Sequence, residues 1–329
     1  MSTQGNTIGR FLKVIRDHMI MVAIVILVVA TAIIQPKFFS IQNMTNILSQ
    51  IGPLSFAALG MTFAIVCGFI DLSMAGVMSL TAVVTARLID PLGQIPALLL
   101  GLAFGALLGY LNGTLVVSAG AMSLFDAIFI TFGMSAVYGA LALIVSNGET
   151  LQMRWITQDK SIFDSLGSGT VGPFPIPLIV FIVALAVLHI FLTKTFRGRS
   201  ITLSGGNKTA ARLAGIPVKK TVKLVFTLSG LLSALGVIVL FSRNTTVSPK
   251  LGLTYDTNSI LAVVIGGTTL AGGNGGVIRT FFGILLVTLL ENCMNLLGVS
   301  THLHSVMSGI IFIAAIWLDS QRERKGAIA

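Results

Sequence analysis

Long apolar runs, separated by short polar breaks, recur along the whole of this chain. A helix that crosses a bilayer needs roughly 20 mostly apolar residues. Ten stretches approach that length: 18–35, 51–70, 73–90, 95–118, 123–146, 176–194, 221–241, 257–271, 276–298 and 302–319. The weakest are 51–70, which opens on Gly52-Pro53, and 257–271, which is short and ends in glycines. The pattern predicts an all-α, polytopic membrane protein of about ten transmembrane helices. A single membrane unit is expected over 18–319, between a terminal segment at 1–17 and a tail at 320–329, because no Pro/Gly/Ser linker divides it. Residues 36–50 read as a short interfacial element. The stretch 147–175 reads as a long loop with Glu149, Asp159 and Asp164 set against Arg154 and Lys160.

Charge gives these spans a direction. Between Lys194 and Lys223 lie eight basic residues (Lys194, Arg197, Arg199, Lys208, Arg212, Lys219, Lys220, Lys223) and no acid. Basic loops between spans mark the cytoplasmic side. Arg10, Lys13 and Arg16 place the N-terminus there. Ten spans then return both the 195–220 loop and the tail, with Arg322, Arg324 and Lys325, to the same side. Residues 36–50 and 147–175 fall outside. Ala30-Thr31-Ala32, after the apolar run Met19–Val29, resembles a leader cleavage site. Basic flanks and nine further spans instead make a retained signal-anchor the expectation.

Hydrophobic residues make up 54% of the chain and charged ones 10%, with a mean hydropathy of +0.95. Soluble domains carry about 25% charged residues, which supports the membrane reading. A net charge of +10 could suggest a nucleic-acid partner, but 14 of the 21 basic residues lie in the three cytoplasmic clusters. The central cluster lacks the aromatic interleaving that stacks bases, so no nucleic acid is expected. Cys67 and Cys293 sit in apolar stretches as buried free thiols. His302 and His304 have no further ligand cluster, so no metal is expected. No arrangement suggests catalysis, and no cofactor is expected.

The central loop holds the most informative motif. Asn207-Lys208-Thr209-Ala210-Ala211-Arg212-Leu213-Ala214-Gly215 reads as a short helix. Gly205-Gly206 lead flexibly into an Asn207 N-cap, and Gly215 with Pro217 beyond it makes a stop. Ala210, Ala211 and Ala214 share a face by helical spacing, and Lys208 and Arg212 lie together at i, i+4. A solvated loop needs neither caps nor an alanine face. Docking of a cytosolic partner on Asn207, Lys208, Ala210, Ala211, Arg212, Ala214, Gly215 and Ile216 is therefore expected.

Elsewhere Gly101, Gly105, Gly109 and Gly113 form a stripe that suits close helix packing, within the chain before between chains. Gly266–Gly276 lacks the Gly-Lys-Ser/Thr ending of a phosphate loop and reads as a tight turn. If ATP drives this protein, a separate subunit binds it. Asp71, Asp126, Glu291 and Arg279 lie in or beside spans, where ionisable groups are costly. Arg279 reads as snorkelling at a span end. Asp71, at a tight junction before Leu72-Ser73, is either a helix-start cap or a substrate contact. Glu291, with Asn292 and Asn295 on one face, is the leading pathway candidate, joined by Asp71, Ser73 and Asn112.

Several segments in order resemble permease subunits of bacterial ABC sugar importers of the ribose/xylose/galactose type. The 207–216 segment, preceded by Gly198-Arg199, resembles the family's coupling helix. Phe69-Ile70-Asp71-Leu72-Ser73 resembles its Gly-Ile-Asp-Leu-Ser junction. Gly109-Tyr110-Leu111-Asn112-Gly113 and Gly266–Gly273 resemble two further signatures. Phe69, Ala75 and Arg279 stand where glycine is expected, and Asp126-Ala127 where a proline often precedes the segment like Thr131-Phe132-Gly133. The resemblance implies a permease in the bacterial inner membrane with both termini cytoplasmic. It implies cytosolic ABC ATPase subunits, a second or related permease copy, a periplasmic sugar-binding protein and a sugar substrate, with lipid around the spans. ATP hydrolysis would lie on the partner. A rival class, an ion- or proton-coupled secondary transporter, would use acids such as Asp71, Asp126 and Glu291 at mid-membrane.

Overall fold

The structure, a computed structural model, describes residues 19–328, with side chains from 24 to 316 apart from 301 and 315. Arg10, Lys13 and Arg16 lie outside the described residues, as do the side chains of Arg322, Arg324 and Lys325. Helix α1 (Met19–Ile34) leads through a 3-10 turn (Pro36–Phe39) into α2 (Ile41–Val66). Three more long helices follow: α3 (Met74–Leu92), α4 (Gln94–Ser118) and α5 (Leu124–Ser146). The next loop holds β1 (Leu151–Gln152), a 3-10 turn (Met153–Trp155), α6 (Ser161–Ser168), β2 (Thr170–Val171) and β3 (Phe174–Pro175). Then come α7 (Ile176–Lys194), α8 (Phe196–Gly206), α9 (Lys208–Leu213), α10 (Val218–Asn244) and β4 (Thr246–Val247). The chain ends with α11 (Tyr255–Ile265), α12 (Val277–Leu296) and α13 (Thr301–Ile328).

Every predicted span contains a helix. Seven helices are long and apolar enough to cross a membrane: α2, α3, α4, α5, α7, α10 and α12. The other three contribute shorter apolar stretches, Ile24–Ile34, Tyr255–Ile265 and His302–Ala314, among the described residues. The fold is thus helical and polytopic. Its strands are confined to two two-residue antiparallel ladders, β1 with β4 and β2 with β3.

Boundaries moved where polar residues or glycines flank the apolar runs. The interfacial element expected at 36–50 shrinks to the 3-10 turn, because α2 already begins at Ile41 and runs through Gly52-Pro53. Ser40 caps it by accepting from the Asn43 amide at 3.3 Å. Its polar first turns are satisfied by neighbours: Asn43 and Asn292 exchange amide hydrogen bonds of 3.1 and 2.9 Å. The expected 257–271 span stops at Ile265, where Gly266 and Gly267 end the helix. The flexible lead-in expected at Gly205-Gly206 is instead the last turn of α8.

Burial inverts the soluble-protein pattern. The apolar window of α2 is 89% buried, whereas that of α5 is 17% buried although α5 is the more apolar helix. Apolar side chains that face outward need an apolar solvent. Phe125, Phe129 and Phe132 of α5 and Val183, Val187 and Ile190 of α7 are such outward residues. Without a hydrophobic drive between helices in lipid, close packing of small residues holds the interior together. The glycine stripe of α4 does this within the chain. A Cβ at Gly109 would lie 2.1 Å from the Phe226 carbonyl oxygen, and one at Gly105 2.4 Å from Ala234 Cβ, both on α10.

Inter-helix loops gather at two ends. At one, Gly273 N–H bonds the Val66 carbonyl at 2.9 Å and Lys208 reaches the Met122 carbonyl. This end carries the basic loop and Arg279. At the other, β1 pairs with β4, and Asp90 Oδ1 accepts from Thr157 N–H at 2.9 Å. Acids and bases mix there, with Asp159 and Asp164 beside Arg154 and Lys160.

Candidate functional site

At the basic end, α9 forms with the caps its sequence carries. Asn207 Oδ1 accepts from the Thr209 and Ala210 amides at 3.0 and 2.9 Å. Gly215 takes a positive φ of 80° and the Ile216 amide closes on the Ala211 carbonyl at 3.0 Å. The exposed surface differs from the expected alanine face. Ala211 is only 4% exposed and Ile216 is buried, both against the chain's own body. Ala210, Arg212, Ala214 and Gly215 are exposed, and Leu213 is 85% exposed. A leucine projecting from a basic surface was missed, although its place between Arg212 and Ala214 was the available signal.

Lys208 also departs from the expected pairing with Arg212. Its Nζ turns inward, 2.6 Å from the Met122 carbonyl and 3.9 Å from the centroid of the Phe69 ring. The ammonium is half-buried, and burial pushes its pKa below the ordinary lysine value. Beside it, α8 meets the α2–α3 junction at backbone contact: a Cβ at Gly205 would fall 1.8 Å from the Val66 carbonyl oxygen. Glycine is therefore required where the basic loop seats on the spans.

The junction continues into a buried polar chain. Asp71 is 1% exposed. Its Oδ1 accepts from the Ser73 amide at 3.1 Å and from the Ser73 hydroxyl, and its Oδ2 accepts from Ser229 of α10 at 2.7 Å. Ser73 Oγ in turn accepts from Asn112 Nδ2 of α4 at 2.6 Å, and Asn112 Oδ1 accepts from Tyr138 of α5 at 2.9 Å. Asp71, Ser73 and Asn112, expected in the pathway, are thus brought together in a closed brace between α3, α4, α5 and α10. Tyr138 and Ser229 were missed, because single hydroxyls in apolar runs look like filler.

Glu291, Asn292 and Asn295 are divided. Asn292 is buried against Asn43 of α2, Asn295 is exposed, and Glu291 Oε1 accepts from Asn258 of α11 at 3.2 Å. Nearby, Arg243 of α10 donates to Asn46 of α2 at 2.7 Å. Glu291, Asn258, Arg243 and Asn46 lie towards the mixed-charge end and offer a polar surface that can hydrogen-bond a hydroxylated solute. Asp126 is a cap: Ser123 Oγ accepts from its amide at 3.2 Å and donates to its Oδ2 at 2.6 Å.

A helical bundle with outward apolar faces, a basic loop seated by glycines and polar groups braced inside defines a multi-pass membrane permease. The family profile described as the branched-chain amino acid transport system permease component matches residues 43–316, and the chain belongs to that family. It is similar to the ribose import permease protein RbsC of Haemophilus influenzae, 34% identical over 97% of this chain and 96% of that one. RbsC of Bacillus subtilis is 35% identical over 90% of each chain. The L-arabinose transport system permease protein AraH of Escherichia coli is 34% identical over 92% of this chain and 90% of that one. The resemblance to sugar-importer permeases drawn from the motifs is borne out by these relatives.

Proposed function

We propose that this chain is the membrane-spanning permease subunit of an ATP-driven ABC importer carrying a monosaccharide or related small sugar across the bacterial inner membrane. All ten helical regions cross the bilayer, with both termini and the 195–220 loop cytoplasmic. Two copies, or one with a related permease, form the pathway. Separate cytosolic ATPase subunits dock on the basic loop, and a periplasmic binding protein delivers the sugar. Supporting this are relatives that bear the names of ribose and arabinose permeases.

The observation that carries the docking role is Leu213, projecting from a capped helix beside Arg212. Burying a leucine under a partner contributes about 2 kcal/mol. Movement imposed on α9 passes through Lys208 and the α8 glycines to the α2–α3 junction, and through Asp71 and Asn112 to α10 and α4. A rigid push on the loop thereby changes access to the pathway. The closed hydrogen bonding of Asp71 argues against its serving as a proton carrier.

The test is affinity capture of the detergent-solubilised chain from its native membranes, beside uptake of labelled pentoses and hexoses. Wild type should bring down a cytosolic ATPase, and Leu213→Asp should lose it while the chain remains folded. Ala211→Glu is the poorer probe, since Ala211 is buried within the chain and its loss would disturb folding. Recovery of no ATPase with wild type would remove the reading.

A further inference from the structure

Where the foot of α7 meets α8 and the first turn of α12, a cavity of about 530 Å³ opens at the basic end. His189, Arg199 and Arg279 line it, with Leu192 and Ile278 supplying apolar walls. None of the residues named above for docking or for the pathway lines it. The Arg199 side chain is exposed, and its guanidinium has no hydrogen-bond or ion-pair partner among the described residues. Arg279 commits Nη1 to Asn274 Oδ1 at 3.1 Å and to the Gly267 carbonyl at 3.3 Å, which holds the guanidinium at the rim. Helix α12 starts at this wall behind Gly276, which provides no side-chain cap, so its first amide N–H groups are left for another acceptor. Such a terminus favours a phosphate oxygen.

The cavity also has an apolar continuation. Ile182 and Ala186, both exposed, continue the face of α7 that carries His189 and Thr193 by helical spacing, and Ile278 is exposed at the base of α12. One end is cationic and the other is continuous with the surface that faces lipid. A soluble anion would leave the apolar strip unused, and a zwitterionic headgroup would leave the cations uncompensated. Basic pockets between spans on the cytoplasmic side suit anionic headgroups.

We propose that this cavity binds an anionic phospholipid, its phosphate between Arg199, Arg279 and the start of α12, and its acyl chains along α7. The assignment to the cytoplasmic leaflet rests on the orientation proposed above, whereas the site itself does not. Because α8 leads directly into α9, a lipid held there fixes the loop against the spans.

The full chain in detergent is titrated with dioctanoyl phosphatidylglycerol and with dioctanoyl phosphatidylcholine, reading the dissociation constant and the melting temperature. Phosphatidylglycerol should bind saturably and stabilise the chain, and phosphatidylcholine should do neither. Arg199→Gln should weaken phosphatidylglycerol roughly fivefold, the effect of one cation near an anionic headgroup. Arg199→Lys should restore most of it. The Arg199 guanidinium has no partner to lose among the described residues, so Arg199→Gln should melt like wild type without lipid. Equal binding of the two lipids, unchanged binding by Arg199→Gln, or full displacement by inorganic phosphate at equal concentration would each overturn the proposal.

Discussion

Lys208 donates from Nζ to the Met122 carbonyl oxygen at 2.6 Å, tying the first residue of α9 to the link between α4 and α5. The Phe69 ring lies 3.9 Å beneath the same ammonium. One side chain thus joins the exposed helix to two inter-span junctions. The second of these leads within two residues to Asp71, whose carboxyl reaches α10. Lys208, expected on the docking surface, instead lies as a strut beneath the exposed face of α9.

Replacing Lys208 with Met keeps the apolar stem and removes the ammonium. The exposed face of α9, with Leu213 and Arg212, is untouched, so capture of a cytosolic partner should persist. Transmission should not. Site-to-site coupling is commonly worth 1–3 kcal/mol, so uptake is expected to fall roughly tenfold while capture stays near wild type. Parallel loss of capture and uptake would make Lys208 part of the docking surface.

The same side chain predicts a pH dependence. Burial lowers the folded-state pKa of Lys208 below its ordinary 10.5. Between the lowered value and 10.5 the unfolded chain binds more protons than the folded one, so stability rises with pH. Below that window the folded ammonium bears its full desolvation cost, which is relieved as the group loses its proton. The melting temperature of wild type minus that of Lys208→Met should therefore increase as pH rises towards 10.5. A flat difference would show that the ammonium is as well solvated as in the unfolded chain.

What could be read in advance follows from how locally each feature is encoded. Spanning helices need long apolar runs and α9 needs adjacent caps, so both were visible in the sequence. The first turns of α2 were hidden because Gln42, Asn43 and Asn46 are too polar for a span and read as an interfacial element. Asn43 finds Asn292, and Asn46 finds Arg243, only across large sequence separations. Asp71 was legible as a costly acid, but its partner Ser229 is 158 positions away. The inward turn of Lys208 depends on Phe69 and Met122, which no helical spacing reveals.

The α4 stripe makes a graded prediction. A methyl at Gly109 meets the Phe226 carbonyl oxygen at 2.1 Å and Gly230 Cα at 3.1 Å, all backbone that cannot swing aside. Gly109→Ala should separate α4 from α10 and cost about 1–3 kcal/mol. Gly133 of α5, with nothing within 4 Å of its added methyl, is the control. Gly133→Ala should be neutral or stabilise by about 0.5 kcal/mol through the unfolded state. Melting temperatures in one detergent compare the two. Equal effects would mean that α4 and α10 are not in backbone contact.

Asp71 separates bracing from proton carriage. Asp71→Ala leaves the Ser73 amide and the Ser73 and Ser229 hydroxyls without an acceptor in a site closed to water, at a cost of about 3 kcal/mol. Asp71→Asn keeps one acceptor oxygen, and either hydroxyl can rotate to accept from the new amide, so about 1 kcal/mol is expected. If the carboxyl is a brace, melting temperature should fall from wild type to Asn to Ala, with uptake falling in the same order. A proton carrier would behave differently. Uptake abolished by Asp71→Asn at an unchanged melting temperature would place this transporter among ion-coupled carriers and detach the α9 loop from its energy source.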